Sequence, residues 1–301
     1  IQCVEEPSVE LSQELMRSVD LVVATGGSAM VHAAYSSGKP AYGVGVGNAV
    51  MIIAEDADIK DAAKKVHLSK VFDNATSCSS ENSIIVHEHI YKELIDELKD
   101  LGGYLCSDKE KYSLEKWMWQ PDKSGNFILN AKIVGQPAKR IATDAGIIIP
   151  DTVDMLMVIG GQPDQSDRFS GEKLSPVLTI WKYSEIDEAI SYVKSLTSYS
   201  GRGHSCGIYT FNDEYIRKVS ERINTSRIMV RQPMAPANGG NFFNGMPTTA
   251  TLGCGTWGGN ITTENINYRH MLNITWVSEP IKPNQPSDKD MWGKYWEKYG
   301  K

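Results

Sequence analysis

Strand-like and helix-like segments alternate along most of this chain, and this alternation constrains its fold more than any other feature. Residues 11–19 carry apolar side chains at helical spacing, and the continuous apolar run 21–24 follows. Such a run is typical of a parallel strand buried on both faces. The turn 25–28 then leads into a second helical pattern, residues 29–35. The order predicts a doubly wound nucleotide-binding fold for this part of the chain.

The alternation continues beyond residue 40 and predicts a second α/β unit. Predicted strands comprise residues 1–4, 50–53, 82–86, 131–134, 155–159, 177–181, 206–209, 227–230 and 275–281. Predicted helices comprise residues 59–70, 90–101, 137–145, 186–196 and 214–223, and the aromatic spacing at 292–299 predicts a short amphipathic helix. For that tail helix, packing within the protein or on another subunit is favoured over a targeting role.

Two glycine-rich turns are candidates for contact with a ligand. Thr25, Gly26 and Gly27 lie between a predicted strand and a helix, where backbone N–H groups favour negative charge. Such a turn can also simply close a tight connection. In the second turn, residues 43–48, Asn48 stands where a dinucleotide fingerprint needs its third glycine, and a strand follows instead of a helix. We interpret it as a strand end held close to a flat group.

Cys78 is the candidate nucleophile. It lies between small polar residues, after a predicted helix and before a predicted strand. Small neighbours leave a thiol accessible and let backbone N–H groups face the atom that the sulfur attacks. The alternative is that Cys78 is one more small buried residue.

Charge and cysteine usage exclude several classes of function. The net charge is −6 and the basic residues are scattered, so nucleic acid is not an expected partner. The apolar runs are too short to cross a membrane. The five cysteines and six histidines are dispersed, which indicates neither a disulfide framework nor a metal site. A reducing, cytoplasmic location is predicted.

Five motifs occur in a fixed order along the chain. They are residues 24–27 with 33–40, residues 72–74 leading to 78–81, residues 172–176, residues 203–205, and residues 252–260. On these motifs the chain resembles the coenzyme A-acylating aldehyde dehydrogenases of the aldehyde dehydrogenase superfamily. The resemblance runs from Ile1 to about Pro280 and corresponds to the C-terminal three-fifths of such an enzyme.

The resemblance implies an α/β fold with three segments. Residues 1–66 correspond to the C-terminal part of a Rossmann-like NAD(P)-binding domain, and residues 67–262 to the catalytic cysteine domain. Residues 263–301 correspond to an extension with a return strand and an oligomerisation segment, and a homo-oligomer is implied. The first seventy residues supply too few strands for an open sheet, and the chain opens on Ile1, so we expect further sequence upstream.

The resemblance also implies the chemistry. The thiolate of Cys78 adds to an aldehyde, hydride passes to NAD or NADP, and coenzyme A takes the acyl group from the resulting thioester. Glu172 matches the residue that holds the nicotinamide ribose. Thr25, Gly26 and Gly27 match the turn beside the nicotinamide and pyrophosphate.

Two features favour the acylating branch over hydrolysis. Residues 43–48 lack the glutamate with which the hydrolytic branch activates water, so a thioester there survives until a thiol takes it. His204 matches a histidine of the acylating branch, and an imidazole titrating near neutrality suits deprotonation of that thiol. The alternative is a core histidine bonded to the backbone.

The substrate expectation depends on two arginines. Arg202 and Arg231 lie near His204 and the long loop, and guanidinium groups bind sulfonate or carboxylate through paired hydrogen bonds. Residues 74–82 and 201–205 resemble the acylating sulfoacetaldehyde dehydrogenases, so an anionic short-chain aldehyde such as sulfoacetaldehyde is expected, ahead of succinate semialdehyde and acetaldehyde. Both arginines can instead form surface ion pairs.

Two other hypotheses stay open. The family's oxyanion-hole asparagine has no counterpart in this sequence, so the chain can be a non-catalytic partial subunit with a structural role. Ordinary oxidation of an aldehyde to an acid, without coenzyme A, is the other alternative.

Overall fold

A computed structural model of the chain describes residues 2–301. One compact unit ends at His270, and Met271–Lys301 form the second. Within the described residues, no helix has the length and apolar character that crossing a bilayer requires.

The first unit is built on parallel strands. The strands are β1 (Val22–Thr25), β2 (Ala41–Val44), β3 (Ala49–Ile53), β4 (Glu81–His87), β5 (Gly103–Leu105), β6 (Trp119–Pro121), β7 (Phe127–Leu129), β8 (Met155–Ile159), β9 (Val177–Tyr183), β10 (Cys206–Tyr209) and β11 (Ile228–Val230). A seven-stranded sheet has the order β11-β10-β3-β4-β9-β8-β5, and all its neighbouring strands are parallel. Strands β1 and β2 form a separate parallel pair, and β6 and β7 an antiparallel one.

Helices connect these strands. They are α1 (Val9–Ser18), α2 (Ser28–Tyr35), α3 (Ile59–Val71), α4 (Tyr91–Asp100), α5 (Asp108–Met118), α6 (Ala138–Asp144), α7 (Ile186–Tyr199), α8 (Asp213–Arg222) and α9 (Met234–Asn238). In the second unit, α10 (Asp288–Tyr299) begins at Ser287, whose hydroxyl accepts the N–H of Asp290 while the Asp290 carboxylate accepts the N–H of Ser287. This reciprocal capping satisfies two donors at the helix start.

Helices cover both faces of the large sheet, and alternate side chains of the central strands pack against them. Met51 and Ile53 of β3 pack with α3 and α4 on one face. Val50 and Ile52 pack with α7 and α8 on the other. Because successive strand residues point to opposite faces, a fully apolar strand such as β3 is buried on both sides. The predicted α/β class with a parallel sheet is therefore confirmed.

Several predicted elements differ from the structure. Residues 2–4 and 275–281 form no strand, and Ala131–Ile133 is a 3₁₀ turn because the Asn130 side chain accepts the N–H of Lys132. The β1 strand was expected to be buried on both faces. Its residues instead alternate between buried and exposed in the described chain, since α1 and α2 cover one face.

The boundary between the β1-β2 pair and the seven-stranded sheet lies between β2 and β3 in the chain. Strand β3 belongs to the seven-stranded sheet, although it lies within the predicted segment 1–66. The segments 1–66, 67–262 and 263–301 stay a proposal about how the chain divides.

Candidate active site

The candidate residues come together because the large sheet is parallel. Gly47 precedes β3, Cys78 precedes β4, Glu172 precedes β9, His204 precedes β10 and Arg227 precedes β11. These five strands are neighbours in the order β11-β10-β3-β4-β9. The amino ends of parallel strands share one edge, so residues far apart in sequence converge there. Ligands of open α/β sheets usually bind at the opposite, carboxyl edge.

Cys78 and His204 form the centre of this cluster. The Cys78 Sγ and His204 Nε2 atoms share a hydrogen bond of 3.0 Å. On the other side of the ring, His204 Nδ1 and the Ser205 Oγ share one of 2.8 Å. Both ring nitrogens are therefore occupied, which fixes the orientation of the imidazole. A thiol hydrogen-bonded to an oriented imidazole is the arrangement that nucleophilic cysteines use.

The resting pair is a neutral thiol and a neutral imidazole. Burial, with the Arg227 guanidinium nearby, lowers the pKa of His204 to about 3. Burial, with the carboxyl of Glu172 nearby, raises the pKa of the Cys78 thiol to about 12. The expectation that the imidazole titrates near neutrality is therefore wrong. A neutral imidazole still has a lone pair with which to accept a proton.

Glu172 is held against the backbone that passes Cys78. Its Oε1 accepts the N–H of Gly47 at 3.0 Å. A Cβ on Gly47 would lie 2.0 Å from the carbonyl oxygen of Cys78 and 2.8 Å from Glu172 Oε1. Only glycine therefore fits between the two residues. The second glycine turn is thus a close-approach site, as interpreted, and the groups it approaches are Cys78 and Glu172.

Two buried asparagines support Glu172 from behind. Asn82 donates to the carbonyl of Gly171 at 2.8 Å and accepts the N–H of Lys173 at 3.1 Å, which fixes the backbone on both sides of Glu172. Asn48 accepts from Asn82 and donates to the carbonyls of Ser170 and Leu196. Burial raises the pKa of Glu172 to about 8, so its carboxyl is mostly protonated at neutral pH.

A cleft of about 730 Å³ opens onto Cys78. Thr25, Gly26, Gly27 and Glu172 line it, so the residues that the sequence assigned to the cofactor face the candidate nucleophile. In the part of the chain that the structure describes, no Lys or Arg side chain lines this cleft. The volume is that of a site for a small molecule.

Arg202 and Arg231 do not line the cleft. Arg202 is exposed and lines a second hollow of about 480 Å³, with His32 and Trp257. The guanidinium of Arg231 donates to the carbonyl of Thr210 at 2.6 Å and lies 4.7 Å from the centre of the Phe211 ring. Their role in binding the substrate therefore stays a prediction, since neither arginine lines the cleft at Cys78.

The turn before Cys78 has an unusual backbone. Asp73, Asn74 and Ala75 have φ angles of 50°, 48° and 56°, in the left-handed region that residues other than glycine rarely adopt. The Thr76 hydroxyl bridges back to the carbonyl and carboxylate of Asp73 at 2.8 and 2.6 Å. Strained backbone of this kind persists where surrounding contacts impose it. Here the last residue with positive φ, Ala75, lies three residues before the nucleophile.

Sequence reasoning missed Arg227. It lies at the start of a short apolar strand, where nothing in the local pattern distinguishes it from a surface arginine. In the structure it is buried and donates to the carbonyl oxygens of His204 and Gly253.

Comparisons with known proteins identify relatives of this chain. The family model described as "Aldehyde dehydrogenase family" matches residues 1–102. A sulfoacetaldehyde dehydrogenase from Acholeplasma sp is 55% identical over 295 residues, 98% of this chain and 61% of that protein. An acylating sulfoacetaldehyde dehydrogenase from Bilophila wadsworthia is 52% identical over 301 residues, 100% of this chain and 65% of that protein. The chain thus spans about three fifths of the length of these curated relatives.

Solved structures give the same likeness. An acetylating aldehyde dehydrogenase from Geobacillus thermoglucosidasius superposes with a TM-score of 0.87 at 35% identity, covering 95% of this chain and 62% of that one. A propionaldehyde dehydrogenase from Rhodopseudomonas palustris, with bound CoA and an acylated cysteine, has a TM-score of 0.75 at 26% identity. That match covers 86% of this chain and 57% of the other.

Proposed function

This chain belongs to the aldehyde dehydrogenase family, and we propose that it carries the reacting cysteine of a coenzyme A-acylating member. The proposed reaction converts an aldehyde, coenzyme A and NAD or NADP into an acyl-CoA and the reduced cofactor. The observation that carries the proposal is the hydrogen bond of 3.0 Å between Cys78 and His204 at the head of a cleft. Identity of 52% to an acylating relative supports the same branch.

The residues around the cleft fit a nicotinamide cofactor. Because Gly47 has no Cβ, its backbone can lie against both Cys78 and Glu172, which holds the two residues at the cleft. Glu172 would accept hydrogen bonds from the ribose, and Thr25, Gly26 and Gly27 would lie along the nicotinamide and pyrophosphate. When bound, NAD(P)⁺ supplies the acceptor for the hydride.

Cys78 and His204 would divide the first half of the reaction between them. As the sulfur forms a bond to the aldehyde carbon, the thiol proton passes by way of His204 Nε2 to the carbonyl oxygen, which gives a thiohemiacetal. Loss of hydride from the same carbon and of the hydroxyl proton leaves a thioester on Cys78. A neutral imidazole can accept these protons because burial keeps it unprotonated.

In the second half, coenzyme A replaces Cys78. His204 Nε2 takes the proton of the incoming thiol, the new carbon–sulfur bond forms, and the Cys78 thiolate leaves. Residues 43–48 carry no carboxylate that could activate water at this point. The thioester is therefore expected to wait for a thiol and not to hydrolyse.

For the substrate we propose an anionic short-chain aldehyde, with sulfoacetaldehyde first. Identity of 55% to a sulfoacetaldehyde dehydrogenase supports it. Succinate semialdehyde and acetaldehyde are the alternatives. Roles for Arg202 and Arg231 in binding the anion, a cytoplasmic location and a homo-oligomeric state also remain proposals.

The test is a reaction with sulfoacetaldehyde, NAD⁺ or NADP⁺, with and without coenzyme A. We expect reduced cofactor in an amount close to one equivalent without coenzyme A, and continuous turnover with it. Continuous turnover that does not need coenzyme A would indicate ordinary oxidation. Absence of both the burst and turnover would favour the structural role.

A panel of aldehydes with and without a terminal anion tests the substrate. If Arg202 binds the anion, Arg202→Ala lowers kcat/KM for anionic aldehydes about tenfold or more and leaves acetaldehyde unchanged. An equal effect on every aldehyde, or no effect, would remove Arg202 from the substrate site. Arg231→Ala is tested in the same way.

A further inference from the structure

Arg227 is a buried cation without a carboxylate partner. The side chain is 4% exposed. Within residues 2–301, no carboxylate lies inside the 4.0 Å limit for an ion pair with its guanidinium. Its hydrogen-bond acceptors are the neutral oxygens of His204, Gly253, Thr263 and Asn265. A buried charge normally requires a partner of opposite sign, so an unpaired one calls for an explanation.

The contacts of Arg227 connect it to the candidate nucleophile through His204. One guanidinium nitrogen, Nη2, donates to the backbone carbonyls of His204 at 2.9 Å and Gly253 at 2.8 Å. The His204 ring then bonds Cys78 Sγ at 3.0 Å. Arg227 therefore fixes the two loops that flank the sulfur, one through His204 and one through the residue before Cys254. The groups it faces that can become negative are the thiols of Cys78 and Cys254.

We propose that Arg227 is a positioning residue whose fixed positive charge serves as the counter-ion of the Cys78 thiolate, in place of a protonated His204. In a cysteine–histidine ion pair the imidazolium normally supplies this charge. Here the guanidinium of Arg227 supplies the positive charge, and it disfavours protonation of the nearby His204 ring. His204 is then left neutral and available to the proton of an incoming thiol.

The direction of each pKa supports this division of roles. Arg227 lowers the pKa of Cys78 and also lowers the pKa of His204. A nearby positive charge has both effects because it favours the thiolate and disfavours the imidazolium. Glu172 and Cys254 act on Cys78 in the opposite sense. Removing the guanidinium should therefore make the thiolate rarer and the imidazolium more common.

The proposal for Arg227 rests on the proposed function only because it takes Cys78 as the reacting group. Alkylation of the Cys78 thiol tests the proposal without aldehyde or cofactor. The experiment measures the rate at which iodoacetamide modifies Cys78, peptide by peptide, as a function of pH. The proteins are the wild type, Arg227→Met and Arg227→Lys. Circular dichroism and thermal melting establish that each is folded.

We expect Arg227→Met to alkylate at Cys78 about tenfold more slowly than wild type at about pH 9, since one unit of pKa changes the thiolate fraction tenfold. Arg227→Lys keeps the charge but loses the paired hydrogen bonds, so it should retain most of the wild-type rate. A folded Arg227→Met with an unchanged profile would overturn the proposal. So would an Arg227→Lys that is as slow as Arg227→Met.

A second measurement needs no variant and covers the case in which Arg227→Met does not fold. In the wild type, a fixed cation should favour the anionic reagent iodoacetate over neutral iodoacetamide at Cys78. We expect the ratio of the two rates to be about threefold or more higher at Cys78 than at exposed Cys3, at about pH 7 and low salt. An equal or lower ratio at Cys78 would contradict a nearby counter-ion.

Discussion

At the scale of single residues, the ionisation of Cys78 decides when it can react. Burial raises the pKa of its thiol to about 12, so the thiolate is a very small fraction at neutral pH. Arg227 lowers that pKa only in part, because desolvation is the larger effect. Under the proposed mechanism, we therefore expect the thiolate to form when His204 accepts the proton during attack on the aldehyde.

This predicts the pH dependence of alkylation in the wild type. A group with a raised acid pKa gains thiolate about tenfold per pH unit until its pKa is reached. Iodoacetamide should therefore modify Cys78 with a rate that rises steadily from about pH 6 to about pH 10. A plateau below about pH 8 would contradict this ionisation and indicate a cysteine–histidine ion pair.

The role of His204 predicts a selective kinetic defect. His204→Gln keeps an amide that can hydrogen-bond but removes the base. Transfer of the acyl group to coenzyme A should slow about 10²-fold or more, while the first equivalent of reduced cofactor still forms. Stopped-flow absorbance of the reduced cofactor separates the burst from steady turnover. A burst slowed to the same extent as steady turnover would contradict a larger role for His204 in acyl transfer than in thioester formation.

At the scale of elements, the connection between β2 and β3 sets the position of the site. Gly45 and Gly47 lie on the same connection. A Cβ added to Gly45 would have no atom within 4 Å, whereas a Cβ added to Gly47 would lie 2.0 Å from the carbonyl oxygen of Cys78. A methyl group at Gly47 must therefore displace backbone. Overpacking of this kind costs about 1–3 kcal/mol.

Gly47→Ala should thus lower the free energy of unfolding by about that amount and reduce kcat about 10²-fold or more, through displacement of Cys78 and Glu172. Gly45→Ala is the matched control for stability and should change the unfolding free energy by less than about 0.5 kcal/mol. Urea unfolding and steady-state rates make the comparison. Equal stability of the two variants would contradict the close approach at Gly47.

The elements that the sequence predicted are those with strong periodicity or continuous apolar runs. Strands β3, β4 and β9 were recognisable because each contains a largely apolar segment that is buried on both faces. The three-residue strands β5, β6 and β7 are too short for a pattern to appear. Residues 131–134 read as a strand because Ile133 and Val134 are β-branched, but the Asn130 side chain caps a turn there.

At the scale of the whole molecule, a parallel sheet turns distant motifs into one site. Cys78, Glu172 and His204 could be named from the sequence because each lies in a recognisable motif before a strand. Their convergence depends on the strand order β10-β3-β4-β9, which no local pattern contains. Arg227 could not be found from sequence, since its importance depends on burial beside His204 and not on its neighbours in the chain.

The same parallel edge explains how one cleft can serve two half-reactions. The residues proposed to face the cofactor come from the β1–α2 turn and from the loop before β9, while the proposed nucleophile and base precede β4 and β10. A single sulfur therefore faces the proposed hydride acceptor and the proposed base for coenzyme A together. The central claim is that an acyl group waits on this sulfur between the two half-reactions.

Mass spectrometry of the Cys78 peptide tests that claim most directly. After reaction with aldehyde and NAD(P)⁺ in the absence of coenzyme A, the account predicts an acyl mass on Cys78, absent in Cys78→Ser, and its removal as acyl-CoA when coenzyme A is added. Reduced cofactor that forms without any acyl mass on Cys78, or an acyl mass on a different residue that coenzyme A releases, would contradict it.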